Sequence, residues 1–337
     1  MTTETLSIAD AEALIAAALR GAGASDAQAV PTARALVAAE AEGQVGHGFS
    51  RVADYAAQVA SGKVRGDARP ACDASRPTAL IVDAGHGFAY PALDLAVARM
   101  TEAALTHGTA SAGITRSHHC GALSVQVDRI AQTGCIGLMT ANAPAAIAPW
   151  GARTPVFGTN PIAFAVPRRD APPLVIDLSL SRVARGKVMH AKKTGQPIPE
   201  GWALDREGQP TTDPVAALAG TMLPIGEAKG TALALMVEIL AAAVPQANLS
   251  TEASSFFDAE GPPPGTGQFL LALAPSGPGV LDRLETLLAT IAAAEGARLP
   301  GTRRIAALAR AQGEGLTVPA AYVAAARDLA ARDQGDT

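Results

Sequence analysis

The stretch Gln44-Val45-Gly46-His47-Gly48-Phe49-Ser50-Arg51 sets a proton donor and a permanent cation four residues apart, directly after a glycine-flanked break. If a helix opens here, His47 and Arg51 share one face, one turn apart. The helix N-terminus would add its own partial positive charge. That combination suits a small carboxylate carrying a reactive carbonyl or hydroxyl. Arg51 would take the carboxylate through a bidentate fork, and His47 would handle the proton. The plainer reading of H-x-x-x-R is a helix start with an exposed arginine and a capping histidine.

Four further segments carry polar groups where a ligand could use them. Ser117-His118-His119-Cys120-Gly121 lies between an expected strand and an expected helix and fits a site for anions or a nicotinamide. Solvated surface histidines are the alternative, and no third ligand nearby suggests a metal. Gly158-Thr159-Asn160-Pro161 reads as a turn whose Thr159 hydroxyl could face a ligand. Asp177-Leu178-Ser179 ends an expected strand, and Arg182, Arg185 and Lys187 follow closely. They form either a solvated basic face or a second anion site. Lys229 between two glycines of Gly226 to Gly230, and Arg303-Arg304 after Pro300-Gly301, are cations at helix starts. The first does not match a Walker loop. The second could hold the extra phosphate of NADP.

The elements that must position these groups alternate after residue 70. Before that, period and capping predict helices from Ser7, from a capping box at Ser25 to about Glu42, and over Phe49 to Ala60. Strands are expected at 79–82, 112–115, 135–139, 162–166, 174–176 and 269–274. Helices are expected from Pro91 to Gly108, over 123–132 and over 230–243, and the rest of the chain reads as helical with a break near Pro300. Residues 192–213 read as an excursion or flap. Alternation alone would propose a doubly wound parallel sheet. The glycine fingerprint that such a sheet uses for dinucleotides is missing, and Gly21-Ala22-Gly23 reads as a helix-helix turn.

Composition narrows the function classes. Hydrophobic residues make up 48% and charged residues 17%, which describes a globular chain; aromatics are only 4%, so alanine fills the core. A net charge of −4 without a basic run argues against a nucleic-acid surface. No segment reads as a signal peptide or a bilayer span, and three unpatterned cysteines suggest a reducing cytoplasm.

Taken in order, Gly46 to Arg51, Ser117 to His119, Gly158 to Pro161, Asp177 to Ser179, Arg185 to Lys187, Ile198 to Trp202 and Lys229-Gly230 resemble the type 2 malate/L-lactate dehydrogenases. That family includes sulfolactate dehydrogenases and Δ1-piperideine-2-carboxylate reductases. The resemblance implies an α+β fold: a non-Rossmann NAD(P)-binding domain on a largely antiparallel sheet, with a helical domain formed by both chain ends. Residues 1–68 joined by 300–337 would form the helical domain, and 69–299 the cofactor domain. It also implies a homodimer that uses NADP or NAD; with the readings of cysteine, charge, motif spacing and hydropathy, a cytoplasmic protein with no metal, nucleic-acid or membrane partner is expected.

By position, the resemblance makes His47 the acid/base. Arg51, His119, Thr159, Arg185, Gly186 and Lys187 become substrate contacts. His119, Cys120, Gly121, Ala122, Asp177, Leu178, Ser179, Lys229, Gly301, Arg303 and Arg304 become cofactor contacts. Two departures bear on substrate. Many members carry serine where this chain has Gly46, and the imine-reducing branch an acidic residue where it has Lys187. A serine-histidine-acid relay is therefore not expected. The expected substrate is a 2-hydroxy or 2-oxo acid with a second anion, (R)-sulfolactate or malate. Cyclic-imine reduction is the alternative enzyme reading, and a non-catalytic binding protein the alternative of another class.

Overall fold

The computed structural model describes residues 2–277 and 279–333. Met1, Pro278 and residues 334–337, which belong to the expected 1–68, 69–299 and 300–337 units, lie outside the described residues. The chain opens with β1 (Thr3–Leu6), α1 (Ile8–Arg20), α2 (Asp26–Ala41) and α3 (Val52–Ala60). Next come β2 (Ala71–Asp73), β3 (Ala79–Asp83), α4 (Ala89–His107), β4 (Thr109–Ser117), α5 (Leu123–Gln132), β5 (Ile136–Ala141), β6 (Ile162–Val166) and β7 (Leu174–Leu178). The excursion holds α6 (Arg185–Thr194), β8 (Ala203–Leu204), α7 (Pro214–Ala219) and β9 (Thr221–Met222). The chain closes with α8 (Ala228–Glu238), β10 (Thr266–Leu273), α9 (Val280–Ala293), α10 (Thr302–Glu314), β11 (Leu316–Pro319) and α11 (Ala320–Ala330).

The fold is mixed α and β on a seven-stranded sheet of order β2-β3-β4-β10-β5-β6-β7. Only β3 and β4 run parallel; every other neighbouring pair is antiparallel. The parallel sheet suggested by alternation alone is thus overturned. The reason is β10, a strand from late in the sequence, which inserts between β4 and β5 and runs against both. Gly267 near its start admits the backbone of a π-helical turn over Ile239–Ala243; a side chain there would strike the Ala241 carbonyl. The main core lies between sheet and helices. Leu80, Val82, Ile114, Met139 and Leu270 from the strands meet Leu93, Met100 and Ile130 from the helices. Those side chains are almost wholly withdrawn from water.

The chain ends meet. β1 pairs antiparallel with β11 from Thr3↔Pro319 to Leu6↔Leu316, and α1 packs on α11. Neither short strand is legible in the sequence. Ser7 caps α1 as expected, accepting from the Asp10 amide at 3.0 Å. The capping box at Ser25 does not form, because its hydroxyl is buried without a partner and makes no cap bond. Pro91 is the third residue of α4 and not the first; Phe88 precedes the helix, its amide taken by the Gln28 side chain at 2.8 Å. The excursion builds its own apolar cluster, in which Val188, Ile198, Ala203 and Met222 pack with Leu180 and Val237.

Candidate active site

His47 and Arg51 do not share one helix. Two single 3₁₀ turns, Val45–His47 and Phe49–Arg51, meet at Gly48 and lead into α3. The break has a specific cause. The Glu40 side chain, buried on α2, accepts from the Phe49 amide at 2.8 Å, and a side chain at Gly48 would collide with it. The knot is closed by Arg51 Nε, which donates to the Gly46 carbonyl at 2.7 Å, and by Ser50 Oγ, which donates to the Val45 carbonyl at 2.8 Å. His47 and Arg51 are therefore set by two tight turns and not by the expected helix face.

Around His47 the polar groups are linked. The ring of His47 stacks on that of His119. His119 Nδ1 meets the Tyr55 hydroxyl at 2.6 Å, and Tyr55 meets the Tyr90 hydroxyl at 3.1 Å. Burial raises the Tyr55 pKa, so this pair of phenols stays neutral. Burial holds His119 well below the ordinary histidine value, and the charges of Arg51, His47 and His118 add to the effect. His47 is brought down to about 4 by burial and then by Arg51. Its Nδ1 is buried and unpartnered. His118 is fully buried behind the pair. Its Nε2 faces Gln58 Oε1 at 2.7 Å, while the Gln58 amide nitrogen donates to the Phe256 carbonyl at 2.7 Å. That orientation of Gln58 makes Nε2 of His118 the protonated nitrogen. Phe256 rests on His119 at 5.0 Å between centroids, and Arg51 Cζ sits 4.7 Å from the centre of the Phe257 ring.

A second locus holds several of the expected cofactor residues. Asp177, Gly301, Arg303 and Arg304 line a cavity of about 400 Å³ together with Gln44 and Ser124. Asp177 accepts from the Ser124 amide at 2.8 Å, and burial raises its pKa to about 6. The paired arginines have separate fates. Arg304 is nearly buried and spends its guanidinium on Glu42 at 2.9 Å and Asp128 at 3.5 Å. Arg303 is exposed and, among the described residues, makes no ion pair. Gly301 precedes α10 in a left-handed conformation and offers no side chain to cap it, so the first-turn amides stay open to an anion.

The remaining expected residues divide. Cys120 and Ala122 are buried, and burial pushes the Cys120 thiol up to about 12. Gly121 takes φ +68°, a left-handed conformation beside Tyr90. The Thr159 carbonyl accepts from the Leu180 amide at 2.8 Å, and Leu180 in turn accepts from Ile225, so Thr159, Ser179 and the loop before Lys229 lie side by side. Leu178 is partly exposed, and the Ser179 hydroxyl faces that of Ser181 at 3.2 Å. Arg185 stands at the N-terminus of α6, its pKa lowered by burial and without an ion pair among the described residues. Gly186, Lys187 and Lys229 are exposed and join neither linked group. Tyr55, Phe256, Phe257 and Glu40 were not expected. Tyr55 follows Arg51 at i+4, and the adjacent phenylalanines are conspicuous in so aromatic-poor a chain.

Comparison with known proteins places this geometry among relatives. The sequence profile described as malate/L-lactate dehydrogenase matches residues 6–326. A (2R)-3-sulfolactate dehydrogenase (NADP(+)) of Chromohalobacter salexigens is 50% identical over 320 residues, 94% of this chain and 96% of that protein. A Δ1-pyrroline-2-carboxylate/Δ1-piperideine-2-carboxylate reductase of Pseudomonas aeruginosa is 40% identical over 303 residues, 88% of this chain and 90% of its own. The crystal structure of Δ1-piperideine-2-carboxylate reductase from Pseudomonas syringae superposes with a TM-score of 0.92 at 36% identity, covering 97% of this chain and 100% of that one.

Proposed function

The chain belongs to the malate/L-lactate dehydrogenase family, and from that premise we propose that it is an NADP-dependent 2-hydroxyacid dehydrogenase acting on (2R)-3-sulfolactate or a malate-like diacid. The observation that carries this reading is the stacked pair His47 and His119, near enough to Arg51 for its charge to lower both pKa values, with Phe256 against His119 and Phe257 against Arg51. A carboxylate needs the guanidinium, and proton transfer at the neighbouring oxygen needs an imidazole.

The residues present fit the cofactor. An uncapped helix start and the guanidinium of Arg303, without an ion pair among the described residues, suit a phosphate, and the carboxylate of Asp177 on the same cavity wall can accept from hydroxyls. Arg303, Gly301 and Asp177 would hold the nucleotide end, and His119 to Ala122, Leu178, Ser179 and Lys229 the remainder. When bound, NADPH supplies the hydride that reduces carbon 2 of the acid. The protein's own groups bind and orient. Arg51 holds the 1-carboxylate, with Thr159 as a further wall. His47 gives its proton to the oxygen on carbon 2 in reduction and takes it back in oxidation. Arg185, Gly186 and Lys187 lie at the start of α6, where they can receive a sulfonate or second carboxylate.

We also read the chain as a cytoplasmic homodimer. Supporting this, α8 and the turn after it leave Leu235, Met236 and Ile239 about half exposed, an apolar surface that a second copy would cover. Among the described residues no helix is long and apolar enough to cross a membrane. The pairing of β1 with β11 and the packing of α1 on α11 support a unit of 1–68 with 300–337, beside a non-Rossmann cofactor unit of 69–299.

The test is NADPH and NADH oxidation on sulfopyruvate, oxaloacetate, pyruvate, Δ1-piperideine-2-carboxylate and Δ1-pyrroline-2-carboxylate. Turnover of the two dianions above pyruvate is expected with NADPH. Turnover of the imines alone would establish the reductase reading instead. No cofactor binding and no oxidation on any substrate would leave a binding protein.

A further inference from the structure

Among the described residues Lys63 is the one lysine withdrawn from solvent. Its ammonium donates to three backbone carbonyls, those of Ser255 at 2.8 Å, Asp258 at 2.8 Å and Glu260 at 3.0 Å. Three donors meet three acceptors, so the group is saturated. Among the described residues it makes no salt bridge; its partners are peptide dipoles, the kind of cradle that holds a monovalent cation. Burial lowers its pKa and the nearby charge of Asp258 opposes that shift.

The same short stretch grips the loop elsewhere. Gln58 donates to the Phe256 carbonyl at 2.7 Å, and Ser61 Oγ donates to the Ala259 carbonyl at 2.7 Å. The carbonyls of Ser255, Phe256, Asp258, Ala259 and Glu260 are thus all drawn to the end of α3. The rings between them are delivered to the site: Phe256 onto His118 and His119, and Phe257 against Arg51.

We propose that Lys63 is a positioning residue for the substrate site, a built-in cation in a carbonyl cradle that sets the 255–260 loop so that Phe257 supports Arg51 and Phe256 backs His119. The role of Arg51 rests on the reading given above; the clamp on the loop does not. Lys63 contacts no substrate and acts through two aromatic side chains.

The experiment compares wild type with Lys63→Ala and Phe257→Ala. In Lys63→Ala the KM for the oxoacid should rise about tenfold or more, with kcat and the dissociation constant for NADPH changed by less than about threefold. Phe257→Ala should show the same split. A KM within about twofold of wild type, or a parallel loss of kcat and cofactor affinity, overturns the proposal. Backbone hydrogen exchange at residues 254–260 is read on the same samples and needs no substrate. It should rise in Lys63→Ala, and unchanged exchange overturns the proposal. If wild type reduces none of the acids, the dehydrogenase reading falls, while the exchange result still decides the clamp. Should Lys63→Ala fail to fold, Lys63→Met, which keeps the side-chain bulk and removes the donors, is read by the same KM split and the same exchange measurement, with the same outcomes supporting or overturning the proposal.

Discussion

The rings of His47 and His119 stack with centroids 5.2 Å apart and planes inclined by 21°. Two imidazolium ions would repel at that distance with little solvent between them. Burial first, and then the charge of Arg51, holds both rings below the ordinary histidine value, and the Tyr55 hydroxyl occupies Nδ1 of His119. His47 keeps no partner on Nδ1 and is the ring with protonation freedom. In the proposed reaction the pair would separate the proton carrier from the wall behind it.

His47→Ala should lower kcat by about 10²- to 10⁴-fold, the usual worth of a positioned acid/base. NADPH affinity, measured by fluorescence titration, should change little. Turnover at the wild-type rate would remove His47 from the chemistry.

The pH dependence should differ between directions. With the pKa of His47 lowered to about 4, its neutral, base-competent form dominates above that value. Oxidation should show kcat/KM flat with respect to this group above about pH 5, because kcat/KM reports the free enzyme. Reduction needs the protonated ring, so its kcat/KM should fall as pH rises through the neutral range. A reduction profile that rises with pH would contradict the assignment.

Arg303→Ala and Arg304→Ala should part company. Loss of Arg303 should weaken NADPH by about tenfold or more while leaving NADH little affected, as removal of a charge-assisted phosphate contact requires. Loss of Arg304 takes the cation from Glu42, which is only 8% exposed and keeps just the neutral donors Ser124 and Gln44, and should destabilise the fold by about 3 kcal/mol in denaturant titration. Equal effects from both variants would refute the division.

Glu40 should make stability depend on pH. Burial raises its folded pKa from 4.5 to about 7, so the folded state prefers the protonated acid. Its favourable contribution is complete below pH 4.5 and is lost as pH rises through about 7. Glu40→Gln keeps an acceptor for the Phe49 amide and removes the titration. The Tm of Glu40→Gln relative to wild type should therefore climb between pH 5 and pH 8, by at most the equivalent of about 3 kcal/mol. A constant difference across that range would show that the carboxyl does not titrate there.

Lys187→Ala should raise the KM for sulfopyruvate and oxaloacetate by about tenfold and that for pyruvate by far less. An equal loss on all three would remove the second anion from the start of α6.

How much of this was legible in the sequence depends on the range of the signal. Ser7, the helix over 123–132 and the strand at 162–166 announce themselves by local capping and period, and they stand where expected. β1 and β11 do not, because four residues with little alternation become strands only by finding each other across the whole chain. The antiparallel sheet depends likewise on where β10 inserts, a tertiary fact that no local window contains. At the site, His47 and Arg51 were visible as residue types. The kink between them was not, since it arises from Glu40 on the preceding helix, and neither was the Phe256–Phe257 wall, which is contributed from about two hundred positions later.

The meeting of the two chain ends has a consequence for how the protein is made. On the ribosome, Thr3 to Leu6 emerge long before their partner, Leu316 to Pro319. The face of α1 that α11 covers must wait uncovered until α11 has been made. Synthesis rate and chaperone access should therefore govern yield of the active enzyme more than the strength of its central sheet.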